Sequence, residues 1–302
     1  MKLTSLFLAI FLITKTFSQE VKLISTALNT YHNLRDFSIS TVTNEAFFTI
    51  QSPNQDLSQI VVVKNKKWHQ PQLLPFCDGY AYLEPFITYD GKKLFFASNR
   101  PKNENDSLKS DFDIWYVERK NLSDNWAKPI NAGSLINSKN DEFYPTIASN
   151  GNLYFTMDAT GGLGKDDIYY SKWDGLMYAK PMLLNKNINS EGYEFNAFIS
   201  KDEKMLIYTK YNAKGGFGSG DLYIAKKDGN NEWMPAENMG NLINTKFMEY
   251  CPYYEQNTNT LYFTSKRSNL APQKFKNIHQ FQSTIIGSHN GLSKLYMVSI
   301  RL

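Results

Sequence analysis

The sequence of 302 residues predicts an all-β protein in which five four-stranded antiparallel sheets close into a ring. Short apolar and aromatic runs are separated by Asn-Gly and Asp-Gly pairs, which tolerate the positive φ angles of tight hairpin turns. Four such runs make one unit, seen most clearly over residues 141–190. The unit recurs at a fixed spacing, and such a period is typical of repeat architectures.

The first 18 residues have the composition of a secretory signal peptide. Lys2 supplies the positive charge, residues 6–13 form a short apolar core, and Ser18 is a small residue at the expected cleavage point. An uncleaved membrane anchor is the alternative, but the apolar run is shorter than a bilayer-spanning helix requires. The sequence therefore predicts a mature chain of residues 19–302, without a transmembrane segment, that is periplasmic or secreted.

Charge and cysteine content narrow the classes of partner. Removing residues 1–18 would remove Lys2 and Lys15 and no acid, so the formal net charge would fall from +4 to +2. A chain this close to neutral lacks the basic footprint of a nucleic-acid-binding protein, and we expect no nucleic-acid partner. Cys77 and Cys251 lie in different units, and the sequence leaves open whether they form a disulfide.

The third run of each unit sets the period. Its first residues are Gln59, Asp113, Asp167, Asp221 and Lys294, so successive units are 54, 54, 54 and 73 residues apart. The fourth runs open with an aromatic residue, as at Trp126, Tyr178 and Trp233, each eleven residues before an Asn. Three equal intervals predict repeated blades, and the longer last interval predicts an insertion over residues 268–290.

The two ends of the chain are expected to complete one sheet together. The last unit stops at Leu302, just after its third run, while residues 21–29 precede the first unit and resemble the end of a fourth run. We expect residues 21–29 to supply the missing strand, because a closed ring leaves no large unpaired sheet edge. The result would be a single five-bladed β-propeller over residues 19–302; a six-bladed ring is the alternative, and needs roughly fifty more residues.

Several motifs resemble the WD-like β-propeller repeats of TolB-type proteins of the bacterial envelope. They are the Pro, Asp-Gly-Lys and Ser-Asn-Arg elements of residues 84–100, the Gly-rich element of residues 161–169, and the Trp, Pro and Ile-Asn elements of residues 126–137. The resemblance implies a propeller fold and an envelope location. TolB itself resembles a six-bladed propeller with an extra domain, and relatives often carry an OmpA-like domain, which is not expected here. The first and last units also depart from the pattern, with Gln59 and Lys294 in place of the third-strand Asp.

The glycine-rich segments predict turns rather than cofactor sites. The run from Gly215 to Gly220 lies between two strands, whereas a phosphate loop needs a helix N-terminus to supply oriented N–H groups. Asp113, Asp167 and Asp221 end such loops, and we expect their carboxylates to accept backbone N–H groups; calcium binding is the alternative. The four histidines form no zinc motif, so no cofactor and no metal site are predicted.

An acidic residue lies near the innermost strand of every unit. If the ring closes, these side chains approach the mouth of the central channel, where five-bladed glycosidases use carboxylates as acid, base or nucleophile. Repetition in every unit favours a shared structural role instead. The candidate acids are Asp36, Glu84, Glu142, Glu194 and Glu249.

The favoured function is a non-catalytic binding module or scaffold for a protein or glycan of the cell envelope, and a glycoside hydrolase is the alternative. In propellers, loops between second and third strands lie on one face, so the insertion and the glycine-rich loops are expected there. Whether the insertion packs onto the propeller, contacts a partner or is disordered stays open. The candidate binding residues are Gly161, Gly162, Lys165, Gly215, Gly216, Phe217, Phe275, His279 and Phe281.

Overall fold

The structure is a five-bladed β-propeller, as predicted. A computed structural model describes residues 19–102 and 111–302 and contains five separate four-stranded antiparallel sheets. The innermost strands of successive sheets contact one another around a ring that closes from the last sheet to the first. The five-bladed prediction is therefore confirmed over the six-bladed alternative. The predicted signal peptide, residues 1–18, lies outside the described residues.

Each blade consists of four consecutive strands, except that the last blade takes its outermost strand from the N-terminus. The strands are, in chain order, β1 (Lys22–Leu23), β2 (Asn33–Ser40), β3 (Glu45–Gln51), β4 (Ser58–Lys64), β5 (Gln72–Leu73), β6 (Tyr82–Ile87), β7 (Lys93–Ser98), β8 (Asp113–Glu118), β9 (Ile130–Asn131), β10 (Glu142–Ile147), β11 (Leu153–Met157), β12 (Asp167–Ser171), β13 (Met182–Leu183), β14 (Glu194–Ile199), β15 (Met205–Tyr211), β16 (Gly220–Lys226), β17 (Glu237–Asn238), β18 (Glu249–Glu255), β19 (Thr260–Ser265) and β20 (Lys294–Ser299).

Blades 1 to 4 are β2–β5, β6–β9, β10–β13 and β14–β17, and blade 5 is β18, β19, β20 and β1. Because the strands alternate in direction, the loops between second and third strands lie at the same end of the ring as the connections between blades. We call this end the top face. The predicted turns at Gly91 and Gly151 lie at the opposite end, where both glycines have a positive φ, of 70° and 91°.

The fourth strands are shorter than the sequence suggests. The fourth run of the third blade, which the sequence predicts to open at Tyr178, contributes only β13, and the opening aromatics lie ahead of the fourth strands. Pro71, Pro129 and Pro181 stand directly before β5, β9 and β13. Proline has no N–H to donate to a ladder, so regular pairing begins only after it.

Asparagine side chains extend the sheets where the fourth strands end. Asn137, Asn189 and Asn244 each accept a bond from a backbone N–H of the third strand and return one to the carbonyl of the same residue. The distances in blade 2 are 2.8 Å from Ile114 N to Asn137 Oδ1 and 2.9 Å from Asn137 Nδ2 to Ile114 O. A side-chain amide thus replaces a backbone peptide, which explains the recurring Ile-Asn pair.

Closure of the ring by the N-terminal segment is confirmed. β1 pairs with β20 in the register Lys22 to Met297 and Leu23 to Tyr296. A short 3-10 helix, Thr26–Leu28, follows. Lys294 is buried, and its ammonium group donates to the carbonyl oxygens of Asn29 and Tyr31. A cation suits carbonyl partners, which accounts for lysine at a position where blades 2, 3 and 4 have Asp.

Aromatic side chains fill the axis of the ring on the side of the innermost strands that faces away from the top face. The ring of Tyr253 lies 6.1 Å from that of Phe86 and 5.2 Å from that of Phe198, measured between centroids. Blades 2 and 5 are not neighbours, so the contact between Phe86 and Tyr253 occurs at the axis itself. In the described part of the chain, no helix is long and apolar enough to cross a membrane.

Deletion of residues 19–29 tests the closure. We expect the free energy of unfolding to fall by several kcal/mol, because β20 loses its partner and buried apolar contacts such as that of Leu28 are lost. Urea denaturation measures the change, and deletion of residues 19–20 alone is the control. An unchanged midpoint in the longer deletion would show that β1 does not hold the ring.

Candidate functional site

Every innermost strand carries a β-bulge at the same level of the ring. The register between first and second strands shifts in all five blades, and the first residue of each bulge has a φ between 51° and 63°. Non-glycine residues rarely adopt this left-handed conformation, and strain of this kind clusters at functional sites. Proline follows the bulge residue in blades 2, 3 and 5, where no ladder bond is needed. The five bulge residues are Asp36, Glu84, Tyr144, Asn196 and Cys251.

The bulges turn these five side chains toward the axis, where they meet across non-adjacent blades. The Nδ2 of Asn196 in blade 4 lies 3.4 Å from Oε1 of Glu84 in blade 2. The hydroxyl of Tyr144 donates to the carbonyl of Pro252 at 2.9 Å, joining blades 3 and 5. The thiol of Cys251 lies 2.8 Å from Oδ1 of Asp36. All five are buried, so they form one polar cluster at the centre of the molecule.

Arg35 neutralises the cluster. Its Nε lies 2.7 Å from Oδ1 of Asp36, and its Nη2 lies 2.7 Å from Oε1 of Glu84. The second oxygen of Glu84 accepts the N–H of Tyr144 at 2.7 Å, and the second oxygen of Asp36 accepts the N–H of Glu84 at 3.2 Å. The guanidinium also lies over the ring of Tyr250, 5.3 Å from its centroid. Both carboxyl groups are therefore fully engaged.

The two carboxyl groups have different environments. Burial raises the pKa of Glu84 to about 7; the charge of Arg35 opposes this shift, and the charge of Asp36 adds to it. Burial, with a further contribution from Asp36, also raises the pKa of the Cys251 thiol well above its usual value. The thiol therefore keeps its proton and donates to Asp36, and Glu84 is partly protonated near neutral pH.

The remaining three candidate acids lie two residues ahead of the bulge and do not join the cluster. Glu142, Glu194 and Glu249 each accept the backbone N–H and the hydroxyl of the residue four positions earlier. In blade 4, the hydroxyl of Ser190 donates to Oε1 of Glu194 at 2.6 Å. These bonds hold the connection between blades against the start of the inner strand. The structure thus brings together only two of the five acids, Asp36 and Glu84.

A funnel opens above the cluster on the top face. It has a volume of about 510 Å³, and Glu84 and Asn196 reach it from below. Its wall contains the residue immediately before the bulge in every blade. These residues are Arg35, Leu83, Phe143, Phe195 and Tyr250. Sequence reasoning missed all five of them and the bulge residues Tyr144, Asn196 and Cys251; the available signal was the proline that follows Glu84, Tyr144 and Cys251.

The glycine-rich loops are turns held by aspartate, as predicted. Oδ2 of Asp167 accepts the N–H groups of Leu163 and Gly164 at 2.7 and 3.1 Å, and Asp221 binds the equivalent loop of blade 4 in the same way. A Cβ on Gly164 would collide with the backbone oxygen of Gly192 in the connection to the next blade. The loops that carry Gly161, Gly162, Gly215 and Gly216 are therefore tied to the adjoining blade on the top face.

Two charged or aromatic candidates project from these loops. The ammonium group of Lys165 lies 5.5 Å from the centroid of the Tyr193 ring, and Phe217 is about half exposed.

Cys77 is a free thiol at the periphery of blade 1, and Cys251 is a free thiol at the axis, so the two form no disulfide. Among residues 19–102 and 111–302, no group of three His, Cys, Asp or Glu side chains is arranged to hold a metal ion.

The insertion contains a helix, α1 (Ile278–Ile285). The side chain of Asn277 caps its first turn by accepting the N–H of Gln280 at 2.9 Å. No residue of α1 is buried, and the ring of Phe281 lies 5.0 Å from that of Phe275, measured between centroids. The candidate residue His279 is exposed on the same helix.

A second, larger cleft of about 770 Å³ separates blades 2 and 3. Aromatic residues such as Tyr89, Tyr116, Trp173 and Tyr178 line it, and it extends toward the bottom of the ring. None of the candidate residues from the sequence lies in it. The bulge residues point to the funnel instead, which is the candidate site.

No family model and no curated protein matches the sequence. Among solved structures, the catalytic domain of the GH62 α-L-arabinofuranosidase of Coprinopsis cinerea is similar, with a TM-score of 0.52, 10% identity, and coverage of 93% of this chain and 96% of that chain. A putative TolB of Agrobacterium tumefaciens is similar with a TM-score of 0.51 and 11% identity, and the match covers 90% of this chain and 91% of that chain. The chain spans 55% of TolB of Acinetobacter baumannii, with 89% of this chain covered, 11% identity and a TM-score of 0.49. The similarities to the arabinofuranosidase and to the Agrobacterium protein show the propeller fold and do not single out the TolB type.

Substitution of Arg35 tests the charge network. We expect Arg35→Met to lower the free energy of unfolding by about 3–5 kcal/mol, because two buried carboxyl groups lose their counter-ion. The triple variant that adds Asp36→Asn and Glu84→Gln should recover part of this loss. Urea denaturation at a pH of about 8 measures both. Lys93→Met removes a surface partner of Glu118 and should cost less than about 1 kcal/mol; an equal cost for both single variants would contradict the network.

Proposed function

We propose that this chain is an exported, non-catalytic binding module whose ligand enters the funnel on the top face. The observation that carries this proposal is the funnel wall. Each of the five blades contributes the residue before its bulge, and four of these five residues are apolar or aromatic. Arg35 is the fifth. A mostly apolar concave site with a few convergent polar groups is the usual form of a ligand pocket.

The polar groups indicate what kind of ligand fits. Arg35 uses Nε and Nη2 for the two carboxyl groups, which leaves further guanidinium N–H groups for an acceptor on a ligand. Phe143 and Phe195 supply flat apolar surfaces beside it. A protein segment or an envelope glycan offers this combination of a hydrogen-bond acceptor and an apolar flank. The predicted signal peptide supports the choice of an envelope partner.

The state of the carboxyl groups favours recognition over hydrolysis. Both oxygens of Glu84 accept hydrogen bonds from the protein, and so do both oxygens of Asp36. A general acid must present its proton to the substrate, and a general base must present a free oxygen. Glu194 and Glu249 are likewise bound through both oxygens by their own blade connections, whereas Glu142 is bound through Oε1 and its buried Oε2 accepts no bond from the described residues.

The surrounding loops enlarge the proposed binding face. The glycine-rich loops with Gly161, Gly162 and Lys165, and with Gly215, Gly216 and Phe217, lie at the same end as the funnel. Bonds to Asp167 and Asp221 hold them in place, so little conformational entropy would be lost on binding. The proposed face also includes Phe275, His279 and Phe281 of the insertion.

Affinity capture from an envelope extract tests the proposal. We expect the mature protein to retain a specific partner, and the double variant Phe143→Ala and Phe195→Ala to lose at least about ten-fold in affinity because it removes two aromatic anchors. Both positions are only half-buried, so the fold should survive, which thermal unfolding checks. The control is Leu176→Ala with Met177→Ala, two exposed residues in a turn at the opposite end. Undiminished capture by the funnel variant would exclude the funnel.

Glycoside hydrolysis is the second candidate, and the environment of Glu84 is the observation in its favour. A carboxyl group with a pKa of about 7 beside a carboxylate held by Arg35 is the differentiated pair that acid catalysis requires. The similar fold of α-L-arabinofuranosidases suggests the substrate to try.

Assays on arabinan and on an aryl α-L-arabinofuranoside separate the two candidates. We expect no turnover above the rate in buffer, because every carboxyl oxygen of the pair is already bonded. Turnover that disappears in Glu84→Gln would instead support hydrolysis. In that case the rate should fall as the pH rises through about 7, since Glu84 would act in its protonated form.

A further inference from the structure

The C-terminal part of the chain has an unusual charge distribution that the funnel does not use. Residues 256–302 contain no Asp and no Glu, but they contain Lys266, Arg267, Lys274, Lys276, Lys294 and Arg301. Lys274 and Lys276 lie in the insertion and are exposed. Lys294 is buried and Arg267 pairs with Glu249, so Lys274 and Lys276 carry the exposed positive charge of this segment on the top face.

The neighbouring loops of blade 4 extend this patch. Residues 212–219 and 239–248 contain Lys214 and Lys246, both exposed, and no acid. The loops are joined: Ser219 N donates to Phe247 O at 3.0 Å, and Nη2 of Arg267 donates to Ile243 O at 2.9 Å. We call these two loops together with residues 266–293 the basic sector of the top face.

Exposed apolar side chains lie within the same sector. In α1, Ile278, Phe281 and Ile285 follow at intervals of three and four residues and therefore share one side of the helix. Ile278 is 68% exposed, Phe281 41% and Ile285 43%, and Ile286 and Leu270 beside them are similarly exposed. The base of the insertion is closed by a bridge between Ser268 and Asn290, and no residue of α1 is buried.

The sector of the top face around blade 3, next to blade 4, has a net negative charge. The connections and loop around blade 3 carry four acids against three lysines. The acids are Asp141, Asp158, Asp166 and Glu191, and the lysines are Lys139, Lys165 and Lys186. An anionic surface would therefore attract the blade 4 and 5 side of the top face and repel the blade 3 side, so charge complementarity selects both the partner and its orientation.

We propose that the basic sector docks on an anionic phospholipid surface. The apolar side of α1, with Ile286 and Leu270, would enter the boundary between headgroups and acyl chains, and the lysines would contact lipid phosphates. Apolar insertion and a polybasic patch are the two contributions that together give stable attachment without a spanning helix. Because blade 3 is repelled, the propeller would stand tilted on the bilayer, with the mouth of the funnel open to solvent.

Co-sedimentation of the mature protein with vesicles tests this docking. We expect binding to phosphatidylcholine vesicles that contain about one-third phosphatidylglycerol, little binding to phosphatidylcholine alone, and weakening by salt. Lys274→Glu with Lys276→Glu should lower the partition coefficient by at least about twenty-fold, since each lysine near such a surface contributes roughly five-fold. Ile278→Ser with Phe281→Ser should lower it by about ten-fold or more.

Two matched controls lie at the opposite end of the ring. Lys66→Glu with Lys67→Glu, and Leu176→Ser with Met177→Ser, change exposed residues of the same types and should leave binding unchanged. The funnel variant with Phe143→Ala and Phe195→Ala should also bind vesicles normally, so the failure of one proposal is distinguishable from that of the other. The variant Phe281→Trp should show a blue shift in fluorescence with anionic vesicles.

Three results would overturn the proposal. They are equal binding to neutral and anionic vesicles, full binding by both insertion variants, and an absence of vesicle binding by the intact mature protein. If the intact mature protein bound no vesicles but captured an envelope protein, and the insertion variants lost that capture, the basic sector would be assigned to a protein partner instead of a bilayer.

Discussion

A left-handed residue at the same place in each of five inner strands is the constraint on which the rest of the molecule depends. Without the bulge, side chains of an inner strand would alternate strictly between its two faces. The bulge turns one side chain per blade into the axis and directs the residue before it to the mouth of the funnel. Each such conformation costs roughly 1–3 kcal/mol. The bonds among Arg35, Asp36, Glu84 and their neighbours offset this cost.

The fold could be predicted because its signals are local and repeated. A period of 54 residues, hairpin turns at Asp90-Gly91 and Asn150-Gly151, and an unpaired segment at each end define five blades and their closure. The length of the fourth strands was misjudged, because apolar runs predict strands but Pro129 and Pro181 delay their pairing. The structure of the insertion was open, since eight residues of α1 carry too short a pattern to distinguish a helix from a loop.

The site was far less predictable, because the contacts between its blades join residues that are between 49 and 215 positions apart in the chain. Acids near the inner strands were visible, but a bulge adds a residue and shifts the register of everything before it. Asp36 and Glu84 therefore reach the axis, whereas Glu142, Glu194 and Glu249 stop short of it. Arg35 and Tyr250 belong to blades at opposite ends of the chain, and no local pattern could have placed one over the other.

The pairing of β1 with β20 also constrains the order of folding. The partner of β1 lies about 270 residues later in the chain, so blade 5 is completed only after Met297 and its neighbours are available. Blades 1 to 4 contain all their own strands and are free of this condition. A chain that crosses a membrane unfolded, N-terminus first, would thus keep its ring open until transport is nearly finished, and its final closure would take place on the far side.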